Sequence, residues 1–285
     1  MRLLEFRDYF QKNLSENYST QEVNVLLKRL LSFFFGWDAT YAALNPNHVL
    51  VKAEFEKLEF ALTELKNHKP IQYITNEAFF FGHDFYVDES VLIPRQETEG
   101  LVNWVIADFS ENTTSSTLDV LDIGTGSGCI AVSLAKANKR FTVSAIDLSK
   151  KALEVAKRNA ASNQVNAEFI QKDIRSLDNW KKPLDVIISN PPYVHPDEKK
   201  EILPNVLNYE PQMALFTPDY DPIYFYKKII NFAAIVLISG GALYFEINPK
   251  YLEELKSSIS DETFEEIEVR NDIFGKARML KVIKK

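Results

Sequence analysis

The chain has 285 residues, 46% of them hydrophobic, and a formal net charge of −7. Its length suits a medium domain with a smaller one, and its acidity disfavours an electrostatic grip on a nucleic-acid backbone while suiting a basic partner. Its one cysteine, Cys129, excludes an intrachain disulfide or a cysteine metal cluster, and no run reaches the ~18 apolar residues of a membrane span, so the expectation is a soluble, cytoplasmic protein.

Residues 1–74 predict a small helical bundle, expected to bind a partner. Leu3, Phe6, Phe10 and Leu14 are spaced three or four apart, and Val23, Leu26, Leu27, Leu30 and Leu31 repeat the pattern, with Thr20 as N-cap. Phe55, Leu58, Leu62 and Leu65 form a third stripe. Residues 75–96 predict a linker built on a β-hairpin, with aromatic segments flanking a Gly82-His83-Asp84 turn and a stop at Pro94.

Residues 97–285 predict a βαβ pattern. A helix is expected over Asn103–Phe109, and the polar run Ser110–Thr117 reads as a loop. Strands are predicted at Leu118–Ile123, Thr142–Ile146, Ala167–Ile170, Leu184–Ser189 and Ala242–Ile247, with two more near Phe264–Val269 and Arg278–Ile283. Helices are predicted at Cys129–Ala137, after Ser149 and at Ile223–Leu237, so the expectation is a mainly parallel seven-stranded sheet covered on both faces.

Two motifs carry chemistry. Gly124-Thr125-Gly126-Ser127-Gly128 follows a strand and opens a helix, where glycines permit a tight turn and close backbone approach to a ligand. Asp147 stands 23 residues beyond Gly124 at a strand end, and an acid about 20 positions on suits ribose hydroxyls. The last position of a dinucleotide-type spacing is Cys129 instead of glycine, which leans towards S-adenosylmethionine over a pyrophosphate-bearing cofactor. The second motif is Asn190-Pro191-Pro192-Tyr193, after the fourth strand. The Asn190 side-chain carbonyl and the Pro191 backbone carbonyl are two acceptors held stiffly by the prolines, and Tyr193 offers a flat face. Such a set suits an –NH2 group on a planar amide or base.

With these residues the chain resembles class I methyltransferases of amide or exocyclic amino nitrogens. Leu92-Ile93-Pro94-Arg95-Gln96-Glu97-Thr98-Glu99 narrows the resemblance to the HemK/PrmC family, the peptide chain release factor glutamine methyltransferases. Pro70–Ile74, Tyr209-Glu210-Pro211 and Phe274–Arg278 are also similar to that family. The resemblance implies a Rossmann-like α/β fold and S-adenosyl-L-methionine as cofactor, with S-adenosyl-L-homocysteine as product. The implied partner is a class 1 release factor, methylated on the glutamine of its Gly-Gly-Gln motif. Asn190, Pro191 and Tyr193 then act at the amide, with Pro192 lining the substrate. Asp147 holds the ribose, Gly124, Thr125, Gly126, Ser127 and Gly128 line the cofactor with Asn190, and Asp173 and Ile174 border adenine. The chain departs from the family's pattern at Ile174, where an aromatic residue is usual, at Gln96 for proline and at Asn76 for glycine; asparagine tolerates positive φ better than most residues.

His195 reads as loop surface, Asp197–Glu201 as a solvated loop and Cys129 as packing. Glu97 and Glu99 are expected either near the substrate or as helix-initiating acids, and Glu246 has no assigned role. No membrane and no direct nucleic-acid partner are expected. Other readings are glutamine methylation of a ribosomal protein, amino-methylation of DNA or RNA bases, and a non-enzymatic scaffold. Arg95-x-Glu97-Thr98-Glu99 favours the release factor over the ribosomal protein.

Overall fold

The computed structural model describes residues 1–110, 116–177, 180–218 and 220–285. Residues 111–115, the middle of the predicted Ser110–Thr117 loop, lie outside the described residues. The chain forms two compact units, Met1–Asn76 with Leu203–Tyr209, and Glu77–Ile202 with Glu210–Lys285.

The first unit is helical, with helices at Leu3–Leu14, Thr20–Phe35, Ala39–Leu44, Lys52–Lys66, Ile71–Thr75 and Pro204–Tyr209. The apolar stripes meet in one core, where Phe6, Phe10, Leu14, Leu30 and Leu58 are fully buried. Ser19, one residue before the expected Thr20, caps the second helix. Its Oγ accepts from Glu22 N at 3.3 Å while the Glu22 carboxylate accepts from Ser19 N at 2.8 Å. Gly36, at φ 69°, ends that helix in the left-handed region. The Tyr209 hydroxyl donates to Asn67 O at 2.9 Å, tying Pro204–Tyr209 to this unit. Asn76 takes φ 53°, the conformation that glycine adopts without strain.

The second unit begins with strands β1 (Glu77–Phe80) and β2 (His83–Tyr86), paired antiparallel. The turn is Phe81-Gly82, one residue earlier than the sequence suggests, and both residues have positive φ, 50° and 78°. Two left-handed residues match the twist of a two-residue hairpin. Phe81 is a costly choice there, but its N–H donates to Glu99 Oε1 at 2.9 Å, which anchors the turn. Phe80 and Phe85 belong to the core around Leu101, Val102 and Val105, so the segment read as a linker is part of this unit's packing.

The main sheet contains β3 (Leu118–Ile123), β4 (Phe141–Asp147), β5 (Glu168–Gln171), β6 (Leu184–Ser189), β7 (Leu237–Glu246), β8 (Phe264–Asn271) and β9 (Ala277–Lys284). Their order is β5-β4-β3-β6-β7-β9-β8; the first five are parallel and β9 runs antiparallel to both neighbours. Alternate residues of the apolar runs face opposite sides. Leu121, Ile123, Ile187 and Phe245 pack with the helix Tyr224–Val236 on one face. Val120, Val186, Ile188 and Tyr244 pack with the helices Gln96–Asp108 and Cys129–Ala137 on the other. The first of these helices starts well before Asn103, because Glu97 and Glu99 stand in its first turn, where acids suit the helix dipole. Pro196–Glu201 is a short 3-10 helix where a loop was expected, with proline at its first position. From β3 the chain continues to β4 on one side and later to β6 on the other. That reversal leaves a crevice at the carboxyl ends of the strands, where open α/β sheets bind ligands.

Candidate active site

A cavity of about 300 Å³ opens at that crevice, lined among others by Gly124, Gly126, Asp147, Asp173, Ile174, Asn190, Pro191 and Pro192. Its volume is that of a small cofactor site.

On the β3–β4 side the wall is mostly backbone. Gly124 N and Thr125 N donate to Ile146 O at 2.9 and 3.0 Å, which folds the turn against the end of β4. Gly124 and Gly126 have φ of 75° and 55°, and a Cβ added at either meets nothing within 4 Å. Their backbone therefore faces open space. Gly128 does different work, since its Cβ would lie 3.0 Å from the Ala156 side chain. Its bareness lets the helix Lys150–Ser162 approach the loop. Thr125 and Ser127 are buried behind the wall, and the Thr125 hydroxyl donates to Asp122 Oδ2 at 2.6 Å. Asp122 is fully buried, its Oδ1 meets no hydrogen-bond partner among the described residues, and burial pushes its carboxyl up to about 7. Asn159, also buried, locks this loop to the hairpin: its Nδ2 donates to Ser127 O at 2.8 Å and Tyr86 O at 2.9 Å, while its Oδ1 accepts from Tyr86 N at 2.7 Å.

Asp147 ends β4. Oδ2 accepts from Gly126 N at 2.9 Å and Oδ1 from Ser149 N at 2.8 Å. Burial raises its pKa, and these backbone N–H groups oppose the rise. Two oxygens leave acceptor sites to spare for a ligand. Asp173 is held by Arg175, whose Nη2 donates to Oδ2 at 2.7 Å, and this bond keeps its carboxyl below the usual range.

On the β6–β7 side the wall rests on side chains. Asn190 Nδ2 donates to Thr98 Oγ1 at 3.3 Å. The Thr98 hydroxyl donates to Glu246 Oε2 at 2.5 Å, and the Tyr193 hydroxyl donates to Glu246 Oε1 at 3.0 Å. Glu246 is buried, and burial raises its pKa. Tyr193 packs against the core beside β6, with its phenol also raised by burial, while Asn190, Pro191 and Pro192 reach the cavity. Asn248 Nδ2 donates to Tyr193 O at 3.2 Å and steadies the chain beyond the tetrapeptide.

A further buried carboxylate, Glu210, holds the Leu92–Arg95 segment. Oε2 accepts from Ile93 N at 3.2 Å and Oε1 from Arg95 Nη2 at 2.5 Å. Leu92 and Pro211, on either side of this clasp, both line the cavity. His195, expected at the surface, has a side chain only 13% exposed and pairs with Asp197 at 3.3 Å. Among the described residues no group of three His, Cys, Asp or Glu side chains is placed to hold a metal.

Sequence reading missed Thr98, Asn159, Glu210 and Glu246 as supports of the site. Each is a buried polar side chain, and buried polar groups require partners that a linear sequence does not display. The available signal was an acid at the end of an apolar strand, Glu246, and an acid in the Tyr209-Glu210-Pro211 motif.

Residues 5–75 match the model for the PrmC N-terminal domain and residues 105–212 that for the methyltransferase small domain. Among curated relatives, the release factor glutamine methyltransferase of Flavobacterium psychrophilum is 42% identical, covering 99% of both chains. That of Bacteroides thetaiotaomicron is 39% identical over 95% of this chain and 96% of its own. Among solved structures, a methyltransferase from Pyrococcus furiosus shares the fold at a TM-score of 0.52 and 17% identity, covering 82% of this chain and 99% of that one. The fold is thus the Rossmann-like one of class I methyltransferases, and identity that runs through both compact units places this chain in the release factor glutamine methyltransferase family.

Proposed function

We propose that this chain transfers the methyl group of S-adenosyl-L-methionine to the side-chain amide nitrogen of the glutamine in the Gly-Gly-Gln motif of class 1 release factors. The observation that carries this reading is one cavity that joins open glycine backbone and Asp147 to Asn190 and Pro191, in a chain related over its whole length to enzymes of that name.

The donor set fits the cofactor. Asp147 supplies carboxylate acceptors for ribose hydroxyls, Gly124 and Gly126 leave space that a Cβ would fill, and Ile146 and Ile174 add apolar wall for adenine. When bound, S-adenosyl-L-methionine supplies an electrophilic methyl group on a sulfonium. Asp173, already paired with Arg175, borders the adenine end with Ile174. Thr125, Ser127 and Gly128 shape the loop from behind its wall.

Asn190 Oδ1 and the Pro191 carbonyl accept the two N–H bonds of the substrate amide. This aims the nitrogen lone pair at the methyl group and favours the positive charge that develops on nitrogen. Pro192 stiffens the turn, and Tyr193 stands behind the acceptors with its hydroxyl on Glu246. No side chain acts as a base, since the methylated nitrogen loses its proton to water. Residues 1–74 serve to dock the release factor. The reaction belongs in the cytoplasm, and no described helix is long and apolar enough to cross a membrane.

The test is to incubate the chain with methyl-labelled cofactor and, separately, purified release factor, ribosomal protein and duplex DNA. Label is expected on the release factor. Label on the ribosomal protein or DNA alone overturns the substrate, and label on none overturns the enzyme.

A further inference from the structure

Glu246 is a carboxylate sealed at the end of β7, and burying it carries a cost that packing alone does not require. Its position explains the cost. Both of its oxygens accept hydrogen bonds from groups tied to the tetrapeptide, directly from the Tyr193 hydroxyl and, through Thr98, from Asn190. Its backbone carbonyl accepts from the Tyr226 hydroxyl at 3.1 Å, so the strand end that carries it is itself held.

We infer that Glu246 is a positioning residue that fixes, through Thr98, which end of the Asn190 amide faces the substrate. The inference rests on the proposed glutamine transfer. A carboxylate only accepts hydrogen bonds. The single proton of the Thr98 hydroxyl is therefore committed to Glu246 Oε2. Thr98 Oγ1 then has only lone pairs left to offer Asn190, and Asn190 meets them with Nδ2. Its Oδ1 is left for the cavity as an acceptor. The two ends of an asparagine amide are nearly the same in shape, so without this relay the side chain is free to turn over. It then presents N–H groups to the N–H groups of a glutamine amide, and the acceptor pair is lost. The same carboxylate takes the Tyr193 proton, so one buried charge sets the polarity of two positions in Asn190–Tyr193 from a strand 53 residues beyond Tyr193.

Glu246→Gln tests this directly, because glutamine keeps the shape but replaces one acceptor by a donor. Single-turnover transfer to release factor is expected to fall roughly 10²-fold, the scale of a misaligned reactive group. Cofactor Kd and release factor KM are expected to stay within about threefold, since the interaction acts on the transfer step. Thermal stability is expected not to fall, because a buried charge has been removed. Thr98→Val is expected to lose rate in the same way, and Thr98→Ser, which restores the hydroxyl, to recover most of it. A wild-type rate in Glu246→Gln, or in Thr98→Val, overturns the inference while leaving the proposed function standing. So does a rate loss matched by equal losses of stability and cofactor affinity. A wild-type chain that is inactive on release factor overturns the proposed function and this inference with it.

Discussion

On the β3–β4 side of the cavity the wall is mostly backbone: two glycines with open space where side chains would stand, and a carboxylate already braced by two N–H groups. On the β6–β7 side the wall is Asn190 and Pro191, and behind them runs a chain of side-chain hydrogen bonds through Thr98, Glu246 and Tyr193. The first wall needs room and a few acceptors, which a tight turn supplies locally. The second, in the proposed function, holds one small group in one orientation, which takes supports drawn from distant parts of the chain. Under the proposed function, binding and transfer fall to separate elements of one cavity, and variants on the two sides are expected to have separable effects.

The largest effect is expected from Asn190→Ala, which removes an acceptor proposed to act in the transfer step. Its turnover is expected to drop by about 10³-fold, as for loss of a transition-state hydrogen-bonding group. Cofactor binding by calorimetry is expected to be nearly unchanged. A large loss of cofactor affinity there merges the two sides. Next in size is Asp147→Ala, expected to weaken cofactor binding by roughly 10- to 100-fold, the scale of hydrogen bonds to a charged group. Its single-turnover rate at saturating cofactor is expected to stay close to wild type; a collapse of that rate contradicts a purely binding role.

Gly128→Ala probes the backbone side through stability. A positive φ of 80° and a Cβ contact of 3.0 Å with Ala156 predict a loss of about 2 kcal/mol in urea denaturation, from left-handed strain and crowding together. No loss shows that the helix Lys150–Ser162 yields more readily than its packing suggests.

A further effect concerns pH. Asp122 carries a carboxyl raised from 3.8 to about 7 by burial. An acid raised in the folded state contributes stability that is complete below its unfolded pKa and is lost as pH rises through the folded one. Asp122→Asn, which does not ionise, is therefore expected to gain on wild type in thermal stability between about pH 4 and pH 7. A stability difference that stays flat with pH shows that Asp122 finds compensation in the fold.

The same contrast explains what was legible in the sequence. Leu118–Ile123 and Leu184–Ser189 are short runs rich in Leu, Val and Ile that form β3 and β6 at the expected bounds, and the glycine turn lies between its strand and helix as the local pattern implies. These are short-range features of period and turn chemistry. Glu246 stood without a role because its partner Thr98 is 148 residues away, and Glu210 because Arg95 is 115 residues away. The hairpin turn was misplaced for a similar reason. Gly82 and its neighbours suggest a turn, but Glu99, 18 residues on, anchors Phe81 in the left-handed position. Ser19 and Thr20 are both fair caps by residue type, and the reciprocal bond with Glu22 selects Ser19.

The most direct test of the central claim is to map the methyl group. After incubation with cofactor and the wild-type chain, the release factor is digested and the fragment bearing Gly-Gly-Gln is sequenced by mass spectrometry. A single methyl group on the glutamine side-chain nitrogen is expected. A methyl group on another residue, or an unmodified glutamine in a reaction that has consumed cofactor, contradicts it.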